Sequence, residues 1–199
     1  MTKTLFFDIE TAPNMAYVWG QWQQDVIEHA REWYMLCFSY KWEGEKTTHV
    51  VSLEEFDLYS SDPENDFHVV EKLWELLDEA DVVIGHNSDA FDIKKANARF
   101  AYHDLGPTSH YQTVDTLKIA RRHFKFNSNR LGHLGEHLGL GGKEATGGFQ
   151  TWVGCMRGDV KAWGTMKKYA KQDVDLLIDV YERLRPWATT HPNRNVIDA

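Results

Sequence analysis

Cysteine is the scarcest informative residue in this chain. Only Cys37 and Cys155 occur among 199 residues, too few for a disulfide framework or a ribbon-type zinc site, so a reducing compartment is expected. No apolar run approaches the ~18–20 residues that a membrane span requires. The first residues enter a strand-like run with no basic segment and apolar stretch ahead of it, so no secretory leader is expected. Repeats, low-complexity tracts and linkers are missing as well, and a single domain over 1–199 is the economical expectation. Gly141–Gly142 lacks the P-loop pattern, and no G-x-S-x-G elbow occurs.

What is present in excess is acid. The formal net charge is −8, which at first sight argues against a polyanionic partner. The charge is unevenly placed: residues 1–117 carry 22 acids and 8 bases, and residues 118–199 carry 8 acids and 14 bases. Lys118, Arg121, Arg122, Lys125 and Arg130 follow one another with no acid between them. A second cluster holds Arg157, Lys161, Lys167, Lys168 and Lys171. Either group could be a solvated helix face. Together they could equally form a basic wall beside an acidic centre, as polyanion-processing enzymes need.

Periodicity predicts strands at Thr4–Thr11, Met35–Trp42, Thr47–Ser52, Asp81–Gly85 and Gln112–Asp115. Helices are predicted over Asp66–Ala80, Asp89–Tyr102, from Thr116, over Arg130–Leu138 and over Thr165–Leu184. The Gly-rich stretch Gly139–Gly154 reads as a mobile loop. Three early strands joined by short turns imply an antiparallel ribbon, and the later strand–helix alternation adds parallel strands to it. The expected fold class is α/β, a mixed five-stranded sheet flanked by helices.

Acids stand at three places where the pattern calls for apolar residues. On the last helix, Met166, Tyr169, Ala170, Leu177, Val180 and Leu184 form one apolar stripe, and Asp173 lies inside it. A buried unpaired carboxylate costs several kcal/mol, so Asp173 needs a cation, either a metal or a buried Arg. On the first strand, alternation places Phe6, Asp8 and Glu10 on one face and Leu5, Phe7 and Ile9 on the other. The two acids stand roughly 7 Å apart along the strand, which suits a shared pair of divalent ions about 3.5–4 Å apart; a solvated edge strand is the alternative. In Ile84 through Asp92, a strand, tight turn and helix start bring Asn87 and Asp92 to the end of a strand, where α/β proteins build sites. Asp92 could also serve simply as a first-turn carboxylate, and Asp89 as the helix N-cap.

Taken in order, the run Phe6 to Thr11, the N-x-x-x-F-D of Asn87 to Asp92 and the Y-x-x-x-D of Tyr169 to Asp173 resemble the three motifs of the DEDD 3′→5′ exonuclease superfamily. Lys168 stands where the histidine subgroup would have His, so Tyr169 assigns the tyrosine type. Val114–Leu117 and Phe126 to Lys143 also look like the corresponding stretch of stand-alone phage and bacterial exonucleases.

The resemblance implies an RNase H-like fold with no attached polymerase module, working in the cytoplasm of a bacterium or a phage-infected cell. It implies that Asp8, Glu10, Asp92 and Asp173 hold two Mg²⁺ or Mn²⁺ ions, all-oxygen ligation that suits hard cations. Tyr169 would orient the attacking water. Thr11, Asn87 and Phe91 would contact the terminal nucleotides; independently of the resemblance, Lys143 and the Gly147–Gly148 pair read as a flexible phosphate-contacting loop. The implied substrate is the 3′ end of single-stranded DNA, released as 5′-mononucleotides. An RNase D-like 3′ exoribonuclease and an inactive nucleic-acid-binding module are the alternatives. Trp19, Trp22, Trp33 and Tyr34 are candidates to stack bases, His86 is a candidate substrate contact, and His133 and His137 read as solvated imidazoles on one helix.

Overall fold

β1 (Thr4–Thr11) is the middle strand of a five-stranded sheet, and its position governs the rest of the architecture. The computed structural model of the chain describes residues 2–22, 25–142 and 147–189. In chain order β1 is followed by β2 (Met15–Tyr17), β3 (Glu28–Arg31), β4 (Met35–Trp42), β5 (His49–Ser52), α1 (Phe67–Glu79) and β6 (Val82–Gly85). Then come α2 (Asp92–Tyr102), β7 (Gln112–Asp115), α3 (Thr116–His123), α4 (Leu131–His137), α5 (Phe149–Met156) and α6 (Val160–Leu184). The sheet order is β5-β4-β1-β6-β7. β1 pairs antiparallel with β4 and β4 with β5, whereas β6 and β7 add in parallel. The expected antiparallel ribbon with parallel additions is therefore the observed sheet, and the fold is RNase H-like.

Alternation along β1 divides the core. Leu5, Phe7 and Ile9 pack with Val69, Val70, Leu73 and Leu77 of α1 and with Phe100 of α2. Phe6 packs on the opposite face with Ile84 of β6 and Val174, Leu177, Val180 and Tyr181 of α6; its ring meets Tyr181 edge-on at 5.4 Å. Asp8 and Glu10 share the Phe6 face, so α6 crosses above them. A hydrogen bond from Ser39 Oγ to the Ala170 carbonyl, 2.7 Å, ties β4 to that helix. The buried Asp66 shows how this protein accommodates a structural carboxylate. Its oxygens meet the Met35 N–H at 2.7 Å, His103 Nε2 at 2.7 Å and the Arg99 guanidinium.

Several boundaries differ from expectation. The presumed loop Gly139–Gly154 gives way to α5 from Phe149. Its glycine content is partly a packing device: a Cβ on Gly154 would lie 2.5 Å from Ala162 Cβ of α6, so glycine lets the two helices approach closely. α6 begins at Val160, not Thr165, because the Asp159 carboxylate accepts from the Lys161 and Ala162 amides at 2.8 and 3.3 Å. α2 starts at Asp92, and Asp89, expected as its cap, instead pairs with Lys118 at 2.5 Å. The β2–β3 hairpin was not foreseen; it is short, and most of its side chains are exposed. Among the described residues no helix is long and apolar enough to cross a membrane.

Candidate metal centre

Strand alternation and helix periodicity converge on one point. Asp8 and Glu10 from β1 and Asp173 from α6 each offer a carboxylate oxygen, and these atoms all lie within 4.8 Å of one another. Asp173 is 3% exposed and the other two are half-buried. Three carboxylates so close, in a partly dry setting, repel one another strongly unless a cation lies between them. The donor set is all oxygen, which matches Mg²⁺ or Mn²⁺ rather than a soft metal.

Asp92 is not part of that trio. Its Oδ1 accepts from the Ile9 N–H at 3.1 Å, which puts it against the β1 backbone between Asp8 and Glu10. Burial raises its carboxyl to about 6, partly offset by that backbone hydrogen bond, while the neighbouring Asp115 pushes it further up. Tyr169, one turn before Asp173, hydrogen-bonds the Asp173 carboxylate. Burial and the charges of Asp173, Glu10 and Asp8 hold its phenol far above the usual tyrosine range. Its hydroxyl therefore holds its proton more tightly than an ordinary tyrosine.

Trp152 is the contributor that sequence reasoning missed. Its Nε1–H donates to Glu10 Oε2 at 3.2 Å, and its ring meets Tyr169 edge-on at 6.0 Å. Nothing in the pattern marked it, because its helix was hidden in a Gly-rich stretch.

The turn after β6 places Asn87. A Cβ on Gly85 would lie 2.4 Å from Ser88 Cβ, and Asn87 itself takes a left-handed φ of 65°. Its N–H donates to Asp115 Oδ1 at 2.9 Å, the same oxygen that accepts from Leu117 N at the start of α3. His86 next to it is fully engaged, with Nδ1 at 2.8 Å from Thr116 Oγ1 and Nε2 at 2.9 Å from the Asn129 carbonyl. It is thus a brace between β6, α3 and the approach to α4.

Thr11 and Phe91 are linked through Lys95. The Lys95 ammonium stands 3.3 Å from Thr11 Oγ1, 3.7 Å from the centroid of the Trp33 ring and 5.3 Å from that of Phe91, and burial lowers its pKa. Trp33 is thereby already stacked by a cation, and Tyr34 is buried in the core, which removes it from the candidate base-stacking residues. Trp19 and Trp22 are exposed. Lys143 lies outside the described residues. His133 and His137 stack on each other at 5.9 Å.

A cleft of about 660 Å³ is lined by Asp8, Asn87, Arg121, Arg130 and Glu136, among others.

A family model described as the RNase H superfamily matches residues 5–185. No curated protein gives a significant match to the sequence. Among solved structures, the family B DNA polymerase from the hyperthermophilic archaeon Pyrobaculum calidifontis superposes with a TM-score of 0.63 at 18% identity, over 94% of this chain. That superposition covers 25% of the polymerase chain, so the likeness is one of fold over a quarter of that protein's length.

Proposed function

This chain belongs to the RNase H superfamily, and we propose that it is a metal-dependent nuclease, specifically a 3′→5′ exonuclease acting on single-stranded DNA ends. The observation that carries the reading is the convergence of Asp8, Glu10 and Asp173 on one point beside an open cleft. The trio is a cluster of like charges, the arrangement that suits a divalent cation.

In this reading Asp8, Glu10 and Asp173 hold Mg²⁺ or Mn²⁺, with Asp92 completing the set for a second ion. Such ions, when bound, make water acidic enough to act as a nucleophile near neutral pH and stabilise the leaving 3′-oxygen. The protein's own groups do the positioning. Tyr169 gives its O–H to Asp173, which leaves its oxygen lone pairs to accept from the attacking water and aim it. Trp152 fixes one oxygen of Glu10, so the other is directed. Asp92, whose carboxyl burial raises to about 6, would face the second ion as a carboxylate. Asn87, held in its left-handed turn by Asp115, and Phe91, which is 41% exposed, face the terminal nucleotides, with Thr11 beside them.

Comparison of 5′-labelled single-stranded DNA and RNA with Mn²⁺ tests this directly. The expected result is a ladder shortened from the 3′ end, stronger on DNA, that disappears in EDTA. Asp8→Asn and Asp173→Asn should each lower the rate by at least about 10³-fold without loss of the folded circular-dichroism spectrum. Hydrolysis that survives both changes would overturn the metal assignment, and a stronger ladder on RNA would assign the exoribonuclease.

A further inference from the structure

Several of the protein's lysines are matched by carboxylates. Lys3 pairs with Glu79 at 2.7 Å, Lys72 with Glu75 at 2.6 Å, Lys118 with Asp89 at 2.5 Å and Lys167 with Glu54 at 2.8 Å. By contrast Arg121, Arg122 and Arg130 are exposed, and no carboxylate among the described residues lies within ion-pair distance of them. Three like charges close together, in a chain of net charge −8, repel one another and add nothing to stability that a neutral polar residue would not. Their position is what distinguishes them. Arg121 and Arg130 line the cleft that begins at Asp8. A second cleft of about 540 Å³ continues from Arg121 to Arg122 and His123, and Arg121 lines both. Its two acids are already engaged, Asp89 with Lys118 and Asp115 with the Asn87 and Leu117 amides. The three arginines thus line two clefts that share Arg121, and the first of these also takes Asp8 of the trio, with Glu136 as its other acid.

The other basic cluster is built differently. Lys167 is taken by Glu54 and Glu55, and Lys161, Lys167, Lys168 and Lys171 lie along α6 rather than on the walls of either cleft.

We propose that Arg121, Arg122 and Arg130 form a phosphate track that holds the single-stranded nucleic acid leading into the carboxylate trio. The proposal rests on the nuclease reading above and assigns the substrate's path beyond the terminal nucleotides. The chemistry favours phosphate: guanidinium groups present planar, paired donors to phosphate oxygens. The track also supplies the attraction that an acidic protein otherwise lacks for a polyanion, since each phosphate neutralised releases counterions.

The test compares two double variants with the same change in net charge. Arg121→Gln with Arg122→Gln removes two charges from the track, and Lys161→Gln with Lys171→Gln removes two exposed charges from the other cluster. Binding of a 5′-fluorescein oligodeoxythymidylate is followed by anisotropy in EDTA across a salt series. The track variant should bind roughly tenfold more weakly at low salt, with the slope of log K against log salt reduced by about 1.4. The α6 variant should match the wild type. Hydrolysis of thymidine 5′-monophosphate p-nitrophenyl ester with Mn²⁺, a substrate too short to reach the track, should remain within about twofold in both. An unchanged salt slope for the track variant, equal weakening in both variants, or an equal loss on the short ester each overturns the track. A wild type that binds through the track yet never hydrolyses the ester overturns the nuclease reading instead.

Discussion

Trp152 and Asp92 show how single side chains tune the carboxylate trio. The indole N–H at 3.2 Å from Glu10 is a charge-assisted hydrogen bond, worth about 1.5–3 kcal/mol. Trp152→Phe keeps an aromatic ring against Tyr169 but removes that donor. We expect Mn²⁺ affinity, measured by calorimetry, to fall roughly tenfold or more, with the thermal midpoint in EDTA nearly unchanged. Asp92 works in the opposite sense. Its carboxyl is raised from the ordinary 3.8 to about 6 by burial, so the folded state holds a proton more tightly than the unfolded one. The stability this contributes is complete below about pH 4 and is lost as pH rises through about 6, leaving a cost of roughly 2–3 kcal/mol at neutrality without a cation. Asp92→Asn should therefore raise the melting temperature in EDTA at about pH 7.5 by roughly 5–10 °C, with the gain vanishing near pH 4. The same variant should lose hydrolysis. A midpoint unchanged at both pH values would refute the burial cost.

At the scale of elements, the site depends on a joint between β6, β7 and α3. One oxygen of Asp115 accepts from both Asn87 N and Leu117 N at 2.9 Å, so it caps α3 and clamps the turn after β6 together. Asp115→Ala leaves both amides without that acceptor, at a cost of about 1–2 kcal/mol for each. Urea denaturation should show a loss of roughly 2–4 kcal/mol. Because Asn87 would lose its left-handed constraint, KM for a single-stranded oligonucleotide should rise more than kcat falls. The long helices and the central strands were legible in the sequence because burial on one face writes period 3.6 or period 2 directly into residue choice. Asp173 stood out for the same reason, as an acid within the α6 stripe. α5 was not legible: Gly154 is glycine because Ala162 packs against it, and that contact is made by a residue eight positions away. The β2–β3 hairpin was missed because its side chains are mostly exposed and carry no alternation.

For the molecule as a whole, a cation bound only by the folded state must stabilise it. At a Mn²⁺ concentration about 100 times Kd the gain is about 2.7 kcal/mol, or roughly 5–10 °C for a chain of this size. Scanning fluorimetry should show that rise, its loss in EDTA and its absence in Asp8→Asn. The net charge of −8 also takes a different meaning in three dimensions. Many acids outside the trio are paired with lysines or exposed on helices, whereas Arg121 of α3 lines the same cleft as Asp8 of the trio.

The amino-acid sequence alone determined the five strands of the sheet and the longer helices, the two faces of β1 and the presence of acids on faces that ought to be apolar. Those follow from local periodicity and from the cost of burying charge, and neither needs a partner to be known. Only the tertiary structure decided that Asp8, Glu10 and Asp173 meet within 4.8 Å while Asp92 stands apart on the Ile9 amide. It also decided that Trp152 reaches Glu10 and that one basic cluster, not the other, lines the clefts. These are contacts between residues far apart in the chain, set by how α5 and α6 cross the sheet, and no local pattern encodes that crossing.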